Sequence, residues 1–506
     1  MNLKKNMRKI MARDFKKGET LHQFKERVID SISDSYCAAK WYNATIWLGH
    51  GQTASCHHPP SHKIPLEELK DNPSAIHNTI HKKKLRKMML NGERPSECEY
   101  CWKIEDMGKN HISDRTFKTE TVPEDKILES VAAKWDDDPT LTTLEISFDR
   151  ACNLKCSYCN PTFSTAWVKD INTYGPYVDI KSDGRGHFET NAPWAEPPTK
   201  REEDNPYIQA FHKWWDDELS ESLDEIRLTG GEPIMHTGTW KLFDWFEANQ
   251  DSEMRFAINS NLSPESPKVL DKLIEKAQFI KKLYIYTSAE STKDAAEYIR
   301  DGLNYDLWKN NIDRVMNETN ASMHMMMTIN SLCLPTITGF LDEMLDLKEK
   351  WKHRAPMLSL NILRFPSFQS VAILPPELKS IYKEQLENWF LGERAQKLCG
   401  DIEKANIARL IDYLDIVKTP HKNTSETEKL HHDFKTFYTQ YDIRRGKNFS
   451  ETFKGPLADW FESIDIIVPT KEEILDRSFV SSMPARLRTN PATEEQYSGG
   501  DDEHEI

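Results

Sequence analysis

Three cysteines in one short stretch, Cys152, Cys156 and Cys159 of LEISFDRACNLKCSYCNP (144–161), are the residues of this chain best placed for chemistry. Spacings of four and three residues let a single tight loop fold three thiolates around one inorganic centre. A [4Fe–4S] cluster has four iron corners and each protein-bound iron takes one thiolate, so three ligands leave one iron open. A second set, Cys37, Cys56, Cys98 and Cys101, lies nearer the N-terminus, with Cys98-Glu-Tyr-Cys101 forming a C-x2-C pair. Four thiolates can close a cluster completely. They can equally take zinc, with His57, His58 or His62 as alternative partners. Zinc knuckles or buried structural thiols are the plainer reading of either set, and an ordinary turn is that of Gly230-Gly231-Glu232-Pro233. A three-cysteine loop followed by that turn, each leaving a strand-like run, outweighs those plainer readings. Cys333 and Cys399 have no nearby partner and read as buried small apolar side chains.

The C-x3-C-x2-C loop and the Gly230–Pro233 turn together resemble the radical S-adenosylmethionine (SAM) superfamily. The resemblance implies that Cys152, Cys156 and Cys159 hold a catalytic [4Fe–4S] cluster whose open iron binds SAM. It implies reductive cleavage of SAM to a 5′-deoxyadenosyl radical that abstracts hydrogen from a substrate. Tyr158 would lie near the adenine, and Gly230, Gly231, Glu232 and Pro233 would form the turn at the methionine moiety. Ser288 and Glu290 would meet the ribose, although this chain has Ser-Ala-Glu where relatives often carry Ser-x-Asp. Asn259 and Arg300 are further candidates for SAM contact, each equally explained by local helix or loop structure. No catalytic residue is assigned beyond the cluster. The hairpin bracketed by Cys37 and Cys56, then Cys98 and Cys101, looks like a twitch or SPASM-type module holding an auxiliary [4Fe–4S] cluster, placed here before the catalytic domain. A flavodoxin- or ferredoxin-like electron donor is implied, with a peptide or protein as substrate. The alternatives are modification of a small molecule or nucleotide, or an iron–sulfur redox sensor without turnover.

The elements that would position these residues follow from periodicity. Leu144, Ile146 and Phe148 alternate as a strand. Further strands are predicted at 225–229, 254–258, 282–287, 322–329 and 358–364, with helices at 236–249, 264–277, 291–300, 304–317 and 336–350. Such alternation predicts a mostly parallel sheet. Reactive groups then collect at the C-terminal strand ends, where Asn330 and Arg364 also fall. The expected fold class is α/β, a partial (β/α)6 radical SAM barrel with a small N-terminal α+β cysteine-rich module and a C-terminal helical region. The expected divisions are a solvated helical extension (1–35), the cysteine module (36–120), a polar linker (121–140), the barrel (141–372), helices (373–475) and a disordered tail (476–506). Within the barrel, 174–205 reads as an inserted surface loop or lid. The methionine-rich stretch 323–327 reads as strand core rather than a cofactor contact.

With 506 residues and a net charge of −14, the chain can bury a large core and lacks the overall basic field of a general nucleic-acid binder. The basic N-terminal segment contains Asp14 and Glu19 and lacks the apolar stretch of a signal peptide. No apolar run reaches the roughly twenty residues that a membrane span requires. A cytoplasmic protein with no membrane partner is the expectation.

Overall fold

The computed structural model describes residues 18–108, 111–183, 186–417 and 424–475. Its strands are β1 (Asn43–Trp47), β2 (Gln52–Ala54), β3 (His62–Lys63), β4 (Thr143–Ser147), β5 (Lys155–Cys156), β6 (Glu225–Thr229), β7 (Arg255–Asn259), β8 (Leu283–Ser288), β9 (Arg300–Asp301), β10 (Ser322–Ile329) and β11 (Met357–Ile362). The chain divides into two compact units. One holds the described residues up to Asp149 together with Glu196–Leu228; the other holds Arg150–Ala195 and the described residues from Thr229 onward.

In the first unit the strand order is β6-β4-β1-β2-β3. β1 runs parallel to β4, with Asn43 opposite Thr143 and Trp47 opposite Ser147, and antiparallel to β2. The β1–β2 turn needs glycine at Gly51, whose φ is +71° and where a Cβ would fall 2.1 Å from Cζ of Tyr207. Beside the sheet, Phe24, Val28, Ile29, Tyr36, Trp41 and Trp102 form an apolar core with Cys37 and Cys101. Two expectations change here. The N-terminal segment is not a solvated helix from residue 18 on, because its turns Leu21–Phe24 and Lys25–Ile29 bury Phe24, Val28 and Ile29. The amphipathic piece expected within the linker at Ile127, Leu128 and Val131 is the helix Glu124–Ala132, which drives Ile127 and Val131 into the same core, so that this part of the linker is not solvated.

In the second unit β7, β8, β10 and β11 lie side by side, every neighbouring pair parallel. Helices Pro267–Ala277, Tyr305–Glu318 and Ile337–Trp351 connect them, the arrangement expected of βαβ units. Burial alternates along β10, so Met323, Met325, Met327 and Ile329 are core side chains. The segment after residue 174, expected as a surface loop or lid, instead packs as far as Ala195. Tyr177, Ile180, Phe188 and Ala192 are buried, and Arg150 donates to the Ala192 carbonyl at 2.9 Å. The C-terminal helices include Pro376–Phe390, Asp401–Ile416 and Thr424–Arg445; the last buries Phe434, Phe437, Tyr438 and Tyr441. The expected disordered tail and the first seventeen residues lie outside the described residues. No helix among the described residues is long and apolar enough to cross a membrane.

Candidate functional site

The three-cysteine loop opens the second unit and is held along its whole length. Cys156 sits in the two-residue strand β5, which pairs antiparallel with β9 so that Cys156 faces Arg300. The Ser157 amide donates to the Ile299 carbonyl at 2.7 Å, and the Cys159 amide donates to the Cys156 carbonyl at 2.9 Å. Ser164 caps the helix Thr165–Tyr174 and also donates to the Leu154 carbonyl at 2.8 Å. Trp167 of that helix donates its indole N–H to the Cys156 carbonyl at 3.0 Å. The C-terminal helix Thr424–Arg445 adds Tyr438, bonded to Ser157 Oγ at 3.4 Å, and Tyr441, which donates to the Tyr298 carbonyl at 2.9 Å.

Burial and then the neighbouring Cys156 push Cys152 up to about 12. Burial, Cys156 and Cys152, in that order, push Cys159 up as well. Burial raises Cys156 against the pull of Arg300. All three thiols are held back from ionisation chiefly by burial, and a bound cation is what would favour their thiolate forms.

The Gly-Gly-Glu-Pro turn seats directly on this loop. Gly230 has φ +114°, and a Cβ on Gly231 would fall 2.2 Å from the Ala151 carbonyl oxygen. The Glu232 amide donates to that same oxygen at 2.6 Å. Pro233 is buried and begins a single turn of 3-10 helix. The Glu232 carboxyl, 2% exposed, accepts from the Asn261 amide at 2.6 Å and the Ile234 amide at 3.4 Å. Burial outweighs those bonds and pushes it up to about 7. Asn261 also donates to Asn153 Oδ1 at 2.9 Å, tying the turn after β7 to the cysteine loop. Asn259 ends β7, and its Oδ1 is buried without a hydrogen-bond partner.

Other predicted contacts are arranged differently. Glu290 is 1% exposed, and both its oxygens are already engaged. Arg300 donates to Oε2 at 2.6 and 3.1 Å, and the Tyr158 hydroxyl donates to Oε1 at 3.1 Å. The expected ribose acceptor also anchors Arg300, whose Nη1 lies 3.9 Å from Cys156 Sγ. Tyr158 lies under the same guanidinium, 5.6 Å from its ring centroid. Ser288 ends β8 half-buried. Asn330 is spent on its own turn, accepting from the Leu332 amide at 2.9 Å. Arg364 is exposed beyond the end of β11. Sequence reasoning missed Asn153 and Asn261; the available signal was the polar Asn-Ser-Asn triplet closing β7.

In the first unit three separate segments bring Cys37, Cys56 and the Cys98–Cys101 pair to one cavity, lined also by Lys40, His58, Trp102, Asp114 and Arg115. Burial, followed by Cys56, Cys98 and Cys101, pushes Cys37 up to about 12. Among the described residues, the one trio of candidate ligand atoms all within 4.8 Å of one another is His57, His58 and Asp114. No trio of cysteine sulfurs among those residues is drawn that close. His58 Nε2 lies 2.6 Å and His57 Nε2 3.5 Å from Asp114 Oδ2. Burial, then His58 and Lys118, hold His57 down at about 4.

No protein-family model matches the sequence, and no curated protein matches it. Among solved structures, the chain is similar to Streptococcus suis SuiB bound to precursor peptide SuiA, at 12% identity and a TM-score of 0.32 over 58% of this chain and 59% of that one. It is similar to SuiB bound to S-adenosylmethionine at 12% identity and a TM-score of 0.31, over 60% and 61% of the two chains. The chain therefore spans about three-fifths of the length of these structures.

Proposed function

We propose that this chain is a radical SAM enzyme, with Cys152, Cys156 and Cys159 holding a [4Fe–4S] cluster and SAM completing its fourth iron. The observation that carries this reading is the seating of the Gly230–Pro233 turn on the backbone beside Cys152, through the Glu232 amide bond of 2.6 Å to the Ala151 carbonyl. A sensor that only stores an electron has no use for such a turn. When bound, the cluster and SAM supply one-electron cleavage of the sulfonium, which yields the radical that abstracts hydrogen.

The chain's own residues have three tasks. The anchored loop presents three thiolates to one face, leaving the centre a ligand short. Glu232, with two carboxylate oxygens and only part of their acceptor capacity used by backbone amides, would accept from an N–H of the amino group of SAM's methionine moiety. Asn259 Oδ1, buried and unbonded, offers a further acceptor in the same mouth. Arg300, clamped by Glu290, holds positive charge beside Cys156 and favours its thiolate.

The four-cysteine cavity is read as an auxiliary [4Fe–4S] site. Its four thiols line one cavity, and four thiolates can close a cluster completely. By its resemblance to twitch and SPASM modules, this site directs the substrate reading to a peptide or protein, with reduction by a flavodoxin- or ferredoxin-like donor. The partial barrel belongs to the same reading.

The test is anaerobic reconstitution with iron and sulfide, then dithionite and SAM, with chromatography for 5′-deoxyadenosine. Formation by the parent chain and its loss in Cys156→Ala is the expected result. No cleavage by the parent, or full cleavage by the variant, sinks the assignment.

A further inference from the structure

At the four-cysteine cavity lies a charge pair, its lysine buried and its glutamate half-buried, that no ligand role requires. Lys40 is 2% exposed, lies on the helical turn Ala39–Tyr42 three residues after Cys37, and lines the cavity. Its ammonium is bonded to Glu97, the residue immediately before Cys98. The other Glu97 oxygen pairs with His81 Nε2 at 2.8 Å. Lys40 lines the cavity, whereas Glu97 does not and meets it only through Lys40 and the neighbouring Cys98.

We propose that Lys40 and Glu97 are opposed positioning charges that set the reduction potential of the auxiliary centre, Lys40 raising it and Glu97 lowering it. This rests on the reading of the four cysteines as an iron–sulfur site. One-electron reduction of such a centre adds one negative charge to a buried body. A fixed cation at its thiolate stabilises the reduced form, and a fixed anion opposes it. Of the other charged side chains lining the cavity, Arg115 is paired with Glu105 at 2.6 Å and Asp114 with His58 Nε2 at 2.6 Å, and Lys118 lines it as well. Lys40 is the lining cation bonded to the residue beside Cys98.

The experiment uses the full chain carrying Cys152→Ala, Cys156→Ala and Cys159→Ala, so that a single centre reports. After anaerobic reconstitution, the midpoint potential is read by paramagnetic-resonance-monitored titration with dithionite at one fixed pH near neutrality. Lys40→Met is expected to move the midpoint negative and Glu97→Gln to move it positive, while Lys40→Met/Glu97→Gln lies between the two. Opposite signs cannot come from general loosening of the fold, which would move both variants alike. Shifts of the same sign, or none, with iron and sulfide present overturn the role of the pair and leave the iron–sulfur reading intact. Zinc without iron in the parent overturns both. Should Lys40→Met hold no iron, Lys40→Arg and Glu97→Gln decide instead. A parental midpoint in the first with a positive shift in the second supports the proposal, and any other combination overturns it.

Discussion

The two cysteine sites of this chain gather their thiols by opposite means. In the second unit Cys152, Cys156 and Cys159 share one loop, so backbone turns bring the sulfurs together and the surrounding helices only hold the loop in place. In the first unit Cys37 precedes the helical turn Ala39–Tyr42, Cys56 follows β2, and Cys98 and Cys101 share the stretch Ser96–Asp106, so three segments distant in sequence meet beside the apolar core. The electrostatics differ too. One charged pair, Arg300 with Glu290, stands at Cys156, whereas Lys40 with Glu97 and Arg115 with Glu105 stand around the four-cysteine cavity. A three-thiol loop needs an outside ligand to be complete, and a four-thiol cavity does not. On the proposed function, one site would react and the other would be enclosed.

That contrast can be broken most directly by removing one sulfur from each site. Cys156→Ala is expected to reduce 5′-deoxyadenosine to background, whereas Cys98→Ala keeps SAM cleavage and loses only the first unit's iron. Iron measurement and chromatography on the two variants decide it. Equal loss of cleavage in both would erase the distinction between the sites.

Gly231→Ala comes next. Its Cβ would lie 2.2 Å from the Ala151 carbonyl, so the turn or the cysteine loop must move. Overpacking of this kind costs about 1–3 kcal/mol. A displacement near 1 Å at a reacting centre costs roughly 10²-fold in rate. Thermal unfolding and SAM-cleavage rates measure the two effects, and the first unit's iron should be untouched.

Glu232 sharpens the comparison through pH. Its carboxyl is pushed up to about 7, chiefly by burial, and only the ionised form offers both oxygens as acceptors to an amino group. SAM affinity should therefore rise as pH increases through about 7 and fall below it. Glu232→Gln should bind more weakly and lose that dependence in a titration followed by calorimetry. The smallest expected effect is that of Tyr441→Phe, which removes the bond to the Tyr298 carbonyl at 2.9 Å. A loss of about 1 kcal/mol in denaturant unfolding is expected.

Much of the second unit could be read from the chain. Alternation along residues 322–329 and the helical spacing of 304–317 predict elements that the fold contains within a residue or two. Such periods are local, and burial on one face is enough to produce them. The segments read as solvated, 18–35, 121–140 and the stretch from 174, were harder. Their apolar residues are sparse and become core only against partners distant in sequence, as Ile127 does beside Tyr36 and Phe24. Glu290 shows the same limit in a side chain. Its place after β8 was legible, but its occupation by Arg300 and Tyr158 was not.

The sequence alone determined which residues can serve as ligands, that three of them share a loop, and that a two-glycine turn follows. These facts depend on residue type and short spacing, which the covalent chain carries by itself. The tertiary structure decided that the turn rests on the Ala151 carbonyl, that Glu290 is already engaged, and that Lys40 and Glu97 stand beside Cys98. Hydrogen bonds and buried charges act over a few ångströms, and only folding brings such distances to residues far apart in the chain.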